Sequence, residues 1–280
     1  MREIDVHRVE DAVCRMVQQI NYEYPADIEQ DMKAMAAAET HPIARSTLDL
    51  LLENAHIARE EHIPICQDTG MAVIFMKIGQ DVHFIGGSLR EAVDRGVARG
   101  YEEGYLRKSV VSDPLFARVN TKNNAPAILY TELTEGEAVE ITVGAKGFGS
   151  ENMSVITMLK PAQGIDGVKE TVLSAIRKAG PNACPPMVVG VGIGGTFDHA
   201  AVLAKKAVLR EARHNEDERY ARLEDELTQA ANALNIGPQG MGGKTTVFRI
   251  NIEHYPTHIA GLPCAVNISC HVTRHAKEVL

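Results

Sequence analysis

The chain has 280 residues, 45% of them hydrophobic and 24% charged, with aromatics at 5% and no tryptophan. That length supports one large domain or two modest ones around a mainly aliphatic core. The formal net charge of −8 excludes a nucleic-acid or anionic-membrane surface, either of which needs a basic footprint.

The first sixty residues read as helices. The stretch DVHRVEDAVCRMVQQI places Val6, Val9, Val13 and Met16 on one stripe, and the start MREIDVHRVEDAV reads as a charged amphipathic helix rather than a secretory leader. Two further helices follow, ADIEQDMKAMAAAE and ARSTLDLLLENAHIAREE. The stretches AVIFMKIG and VHFIGG look like strands, and Ser88 opens S-L-R-E, a capping box for the helix SLREAVDRGVARGYEEG. ILYTEL and AVEITVGAKG, joined by TEGE, predict a β-hairpin. GFGSENMS is a glycine- and hydroxyl-rich loop, GIDGVKETVLSAIRKAG a helix, PPMVVGVGIGG a strand entering a glycine turn, and DHAAVLAKKAVLREA another helix. A charged helix, EDERYARLEDELTQAANALN, leads through the loop IGPQGMGGKT to two last strands, TVFRINIEHY and LPCAVNISC. No run of eighteen apolar residues occurs. The expected fold is one mixed α/β (α+β) domain over 1–280, N-terminal helices followed by a mixed sheet flanked by helices, in the cytoplasm.

Two nucleotide-like motifs fail on context. Gly190, Gly192 and Gly195 match G-x-G-x-x-G after an apolar strand, but the region beyond, KKAVLREARHNEDERY, is helical and charged where a second parallel strand should end in an acid. A close-packed strand–helix turn explains the glycines better. Gly243-Lys244-Thr245 lacks the P-loop's first glycine, since Pro238 stands there.

The five cysteines are an odd number, and no two have C-x-x-C spacing, which argues against a disulfide framework or a zinc ribbon. Cys66, Cys184 and Cys270 each fall where an element meets a turn, in ICQDTG, NACPP and NISCH. Three thiolates so placed suit an iron–sulfur cluster with one open iron; three buried, inert cysteines are the plain alternative. Arg107 in LRKSVV reads as a helix-end residue, and Gly147–Asn152 could offer backbone N–H groups to an anion. His258 lies in a loop between strands, whereas His271 and His275 read as surface residues and Cys14 as core.

Taken in order, ICQDTG, LRKSVV, KGFGSENMS, NACPPMVVGVGIGG, AVLAKKA, LNIGPQGMGGKT and VNISC resemble the alpha subunit, or N-terminal half, of the class I iron–sulfur fumarate hydratases and the related L(+)-tartrate dehydratases. The resemblance spans roughly residues 10–272. It implies a 4Fe–4S cluster on Cys66, Cys184 and Cys270; Cys14 and Cys264 fall outside the ligand motifs. It further implies that Gln67 and Asp68 touch substrate, with Asp68 a proton donor or hydroxyl-orienting group, and that Arg107 clamps a carboxylate. Gly149, Ser150 and Asn152 would line the substrate pocket, and His258 would stand near the reacting centre. The GFGSEN form resembles the fumarase loop more than the tartrate-enzyme one and favours fumarate and malate as substrates.

Single-chain members of that family continue into a second domain that carries the catalytic base. Nothing like it follows Cys270 here, so a separate beta subunit, in an alpha2beta2 assembly, is expected to complete the site. A non-catalytic iron–sulfur sensor module is the competing expectation. It would need the thiols but not Gln67, Asp68 or Arg107.

Overall fold

The computed structural model describes residues 1–211 and 214–280, and the last residue of the expected helix DHAAVLAKKAVLREA, Ala212, lies outside them. The chain folds into two compact units built from interleaved segments. Unit one comprises Met1–Pro25, Asn54–Gly147 and Arg274–Leu280; unit two comprises Ala26–Glu53 and Phe148–Thr273.

Unit one opens with a strand where the sequence suggests a helix. Strand β1 (Arg2–Asp5) pairs in parallel with β3 (Val82–Ile85), and the helix α1 (Val6–Tyr22) starts only after it. Asp5 makes the switch, since its carboxylate accepts the His7 N–H at 2.9 Å and caps α1. The stripe Val9, Val13, Met16, Val17 and Ile20 is buried with Val93, Val97 and Tyr101 of α4 (Leu89–Glu103). Each such aliphatic side chain contributes roughly 1.5–3 kcal/mol when fully buried. Ser88 caps α4 as expected, accepting the Glu91 N–H at 3.4 Å.

The main sheet of unit one runs β10 (His275–Val279), β5 (Val139–Lys146), β2 (Met71–Gly79), β4 (Ile128–Thr134). The expected hairpin between β4 and β5 does not form, because β2 lies between them, parallel to β4 and antiparallel to β5. The TEGE connection crosses over the end of β2, where Gly79 N–H donates to the Ala138 carbonyl at 2.9 Å. Strand β10, a C-terminal addition that the sequence pattern did not mark, closes the other edge against β5.

In unit two the sheet order is β6 (Val155–Leu159), β9 (Leu262–Ser269), β7 (Met187–Gly195), β8 (Val247–Thr257), with β7 and β8 parallel and the other pairs antiparallel. Helices α6 (Gly164–Ala179) and α8 (Glu218–Asn232) share a core with Val189, Val191 and Ile193. The alternate residues Gly190 and Gly192 face α7 (Phe197–Val208) on the other side. A Cβ on either glycine would stand 2.1 or 2.0 Å from the carbonyl oxygens of Ala204 and Ala200. These glycines therefore serve close strand–helix packing, as their context suggests.

Two more helices, α2 (Ala26–Ala38) and α3 (Pro42–Glu61), meet at Glu39. The buried Glu39 carboxylate accepts the N–H groups of Thr40, His41 and Lys244 and the Thr245 hydroxyl. The GGKT loop thus binds a carboxylate of its own chain, where a P-loop would bind phosphate. Among the described residues no helix is long and apolar enough to cross a membrane.

Candidate active-site segments

Helix α3 ends at Glu61 and β2 begins at Met71, so IPICQDTG forms the turn that the sequence suggests. Ile65 enters it buried, with its N–H on the Asn21 carbonyl and its carbonyl on Asn54 Nδ2, both at 2.9 Å. The turn leaves through Gly70 at φ +75°, where a Cβ would meet the Lys146 backbone at 2.8 Å; only glycine fits. Between these anchors Cys66 and Asp68 are half-buried and Gln67 is exposed. Asp68 Oδ1 accepts the Gly70 N–H at 3.0 Å, which fixes an Asx-type turn.

The buried side chains of Arg274, Tyr101 and Asn124, which no sequence motif marks, hold this turn together with Thr69 inside it. Arg274 Nη1 donates to the Asp68 carbonyl and to Asn21 Oδ1, each at 2.8 Å. The Tyr101 hydroxyl lies 2.7 and 2.9 Å from the Thr69 and Gly70 carbonyls, and burial pushes its pKa up to about 12. Asn124 Nδ2 donates to the Gly70 carbonyl at 3.0 Å, while its Oδ1 accepts the Ser109 and Val110 N–H groups at 2.7 and 3.2 Å. Finally, the Thr69 hydroxyl donates to the Arg107 carbonyl at 2.7 Å. The thiol–amide–carboxylate turn and the segment carrying Arg107 are therefore one hydrogen-bonded piece. Arg107 itself is exposed in the loop past α4, not at the helix end. Tyr101 could have been found in the sequence, because it continues the Val93–Val97 stripe; Asn21 likewise stands one turn past Val17. Asn124 and Arg274 lie on no periodic pattern.

The other thiol-bearing turns belong to unit two. Cys184 closes the 3-10 turn Gly180–Ala183 in a left-handed conformation (φ 48°, ψ 64°), exposed to solvent. Its carbonyl accepts the His271 N–H at 3.1 Å, which sets the Cys184 turn beside the residue after Cys270. Cys270 follows β9 directly, and its carbonyl accepts the buried Thr273 hydroxyl at 2.9 Å. Gly149 and Ser150 lie in the short helix α5 (Phe148–Glu151), with Gly149 exposed and Ser150 buried, and Asn152 is exposed just beyond. This stretch is helical where a loop was expected. A Cβ on Gly149 would meet nothing closer than the Asn182 carbonyl at 3.8 Å, so neither strain nor crowding demands glycine there. His258 is exposed in the turn between β8 and β9, with Nδ1 accepting the Ala260 N–H at 3.2 Å. His275, expected at the surface, is buried in β10, because a C-terminal strand covers what would otherwise be a tail; His271 is half-buried.

The donor set fits a soft metal centre in kind. None of the five cysteines is in a disulfide, and of the five Cys66, Cys184 and Cys270 reach solvent. Cys264 lies in the sheet core, where burial pushes its pKa up to about 12, and Cys14 is buried with Arg99 Nε 3.2 Å from its sulfur. The half-buried and exposed thiols thus coincide with the three ligand motifs. Among the described residues no three His, Cys, Asp or Glu side chains gather as a metal site. Two of the three thiols sit in unit two and the third in unit one.

A model of the family described as fumarate hydratase (Fumerase) matches residues 10–279. The chain is 39% identical over 277 residues to a Methanocaldococcus jannaschii protein provisionally named L(+)-tartrate dehydratase subunit alpha, with 96% of each chain covered. It is 31% identical over 271 residues to the L(+)-tartrate dehydratase subunit alpha of Escherichia coli (strain K12), covering 95% of this chain and 88% of that one.

Proposed function

Because the chain belongs to the fumarate hydratase (Fumerase) family, we propose that it is the alpha subunit of an iron–sulfur hydro-lyase that reversibly hydrates fumarate to (S)-malate. The names of its relatives, each a subunit alpha, support a companion beta subunit that completes the enzyme. We take 1–280 as one cluster-binding subunit, working in the cytoplasm in an alpha2beta2 assembly.

Cys66, Cys184 and Cys270 would hold a 4Fe–4S cluster. When bound, such a cluster supplies a Lewis-acidic iron that makes hydroxide a feasible leaving group. This chain's own residues do the rest of the work assigned to it. Arg107 would grip a substrate carboxylate with its planar fork, and the charge that gathers there as the neighbouring carbon loses its proton would strengthen that grip. Asp68, held by Arg274 through its backbone, would orient the departing hydroxyl and give it a proton, with Gln67 beside it on the exposed side of the turn. Gly149, Ser150 and Asn152 would line the pocket, and His258 would present its other ring nitrogen toward substrate. The base that removes the carbon-bound proton would come from the companion subunit.

The observation that carries this reading is the Thr69–Arg107 bond. It joins the thiol, amide and carboxylate of the turn to the guanidinium-bearing segment in one piece. A sensor module has no need of that coupling. Replacing Arg107 with Met in the reconstituted complex tests it: turnover should fall while the cluster absorbance stays as in the wild type, and unchanged turnover would sink the enzyme reading. Tartrate dehydration is a second reading, favoured by the names of the relatives, and assays on malate, fumarate and tartrate separate the two.

A further inference from the structure

Unit two contains a polar network that none of the proposed catalytic roles uses. Lys205 on α7 is mostly withdrawn from solvent, its side chain 13% exposed, and its ammonium pairs with Glu151 Oε1. The other Glu151 oxygen accepts Asn267 Nδ2 at 2.9 Å, and the same Nδ2 donates to Ser154 Oγ at 2.9 Å. Ser154 Oγ also accepts the Ile268 N–H at 3.2 Å. Asn267 Oδ1 is buried and makes no hydrogen bond among the described residues, so its two donations set the amide's orientation.

Glu151 stands between Ser150 and Asn152, and Asn267 lies on β9 three residues before Cys270. The lysine reaches the carboxylate because α7 packs tightly on the sheet, its Ala200 and Ala204 clustering with Ala265 of β9 and Ile156 of β6. Burial lowers the Lys205 pKa, while the Glu151 charge opposes that shift. A partly buried ion pair is a poor source of stability, since desolvation consumes most of its Coulombic gain. It is, however, directional, and here it spans a helix, the 149–152 segment and the strand that leads into Cys270.

We propose that Lys205 is a positioning residue that, through Glu151 and Asn267, holds the 149–152 segment and the Cys270 end of β9 as a single piece, and so sets how tightly the dicarboxylate is bound. The inference rests on the reading of 149–152 as a substrate-lining segment. In the reconstituted complex with its companion subunit, Lys205→Met should raise the KM for malate about tenfold while kcat changes less than about threefold. A tenfold change in binding corresponds to about 1.4 kcal/mol. Lys205→Arg should recover most of the affinity. Lys205→Met combined with Glu151→Gln should bind better than Lys205→Met alone, because the uncompensated carboxylate is gone.

A second readout needs no turnover. In the full-length apo chain, Lys205→Met should speed alkylation of Cys270 by iodoacetamide several-fold, measured by mass spectrometry, and leave the Cys66 rate as it was. A lowered melting temperature with unchanged KM and an unchanged Cys270 rate would overturn the proposal, as would a fall in kcat alone. A wild-type complex that acts on no dicarboxylate would overturn the functional reading instead, and the alkylation rates would then still decide whether the network fixes Cys270.

Discussion

Asn124 and Tyr101 show how few side chains define the Cys66 turn. The Tyr101 hydroxyl serves two carbonyls of that turn, and the Asn124 amide bridges Gly70 to the segment after Arg107. Removing the hydroxyl in Tyr101→Phe leaves buried carbonyls unsatisfied at a cost of about 1–3 kcal/mol. That variant should fold with a lower melting temperature, and turnover should fall further than the loss of folded protein explains. Gly70→Ala is the harsher test, because it combines a positive φ with a Cβ 2.8 Å from backbone. It should cost more than about 2 kcal/mol and strip the chain of soluble expression. Arg107→Met touches none of these bonds, since only the Arg107 backbone takes part in them. It should therefore leave the melting curve in place and lower kcat/KM by at least about tenfold, the loss of a charge-assisted hydrogen bond worth roughly 1.5–3 kcal/mol.

At the scale of elements, the glycines of β7 explain why a dinucleotide-like motif occurs without a dinucleotide site. With Gly190 and Gly192 on one face and Val189, Val191 and Ile193 on the other, the strand offers α7 bare backbone and offers α6 and α8 an aliphatic core. Gly192→Ala would push a methyl within 2.0 Å of the Ala200 carbonyl, and should destabilise unit two by about 1–3 kcal/mol through the forced shift of α7. Glu39 gives a pH signature at the same scale. Burial pushes its pKa up, but the N–H groups of His41, Lys244 and Thr40 and the Thr245 hydroxyl outweigh burial and hold it below the usual value of 4.5. A depressed folded pKa means that the carboxylate's stabilisation is fully present above about pH 4.5 and is lost as pH falls through the folded value. Melting temperatures of Glu39→Gln should therefore lie below wild type at neutral pH and converge with it in acid.

Across the whole molecule, local signals were legible and pairings were not. The helical stripe of α1, the Ser88 cap and the turn at ICQDTG all follow from short-range chemistry, and the structure keeps them. The TEGE turn looked like a hairpin because its residues favour one, but nothing local reveals that β2 inserts between β4 and β5. The same limit hid β10, whose partner β5 lies more than a hundred residues away in sequence. Each of the two units is assembled from separated segments, with no linker composition to mark a border in the sequence. As for the candidate site, the thiols and their polar neighbours could be read from motifs. The side chains that hold the turn, Arg274 and Asn124 above all, acquire their roles only through the fold.

On the proposed function, this chain carries the cluster ligands and the substrate-gripping residues of a two-subunit hydro-lyase. The most direct measurement is anaerobic reconstitution of the purified chain with iron and sulfide, with and without its companion subunit, followed by assays on malate, fumarate and tartrate. The purified chain should become coloured and cluster-loaded with little activity alone, and malate–fumarate interconversion should appear once the companion is added. A chain that stays colourless, or one that interconverts malate and fumarate vigorously by itself, would contradict the proposed function.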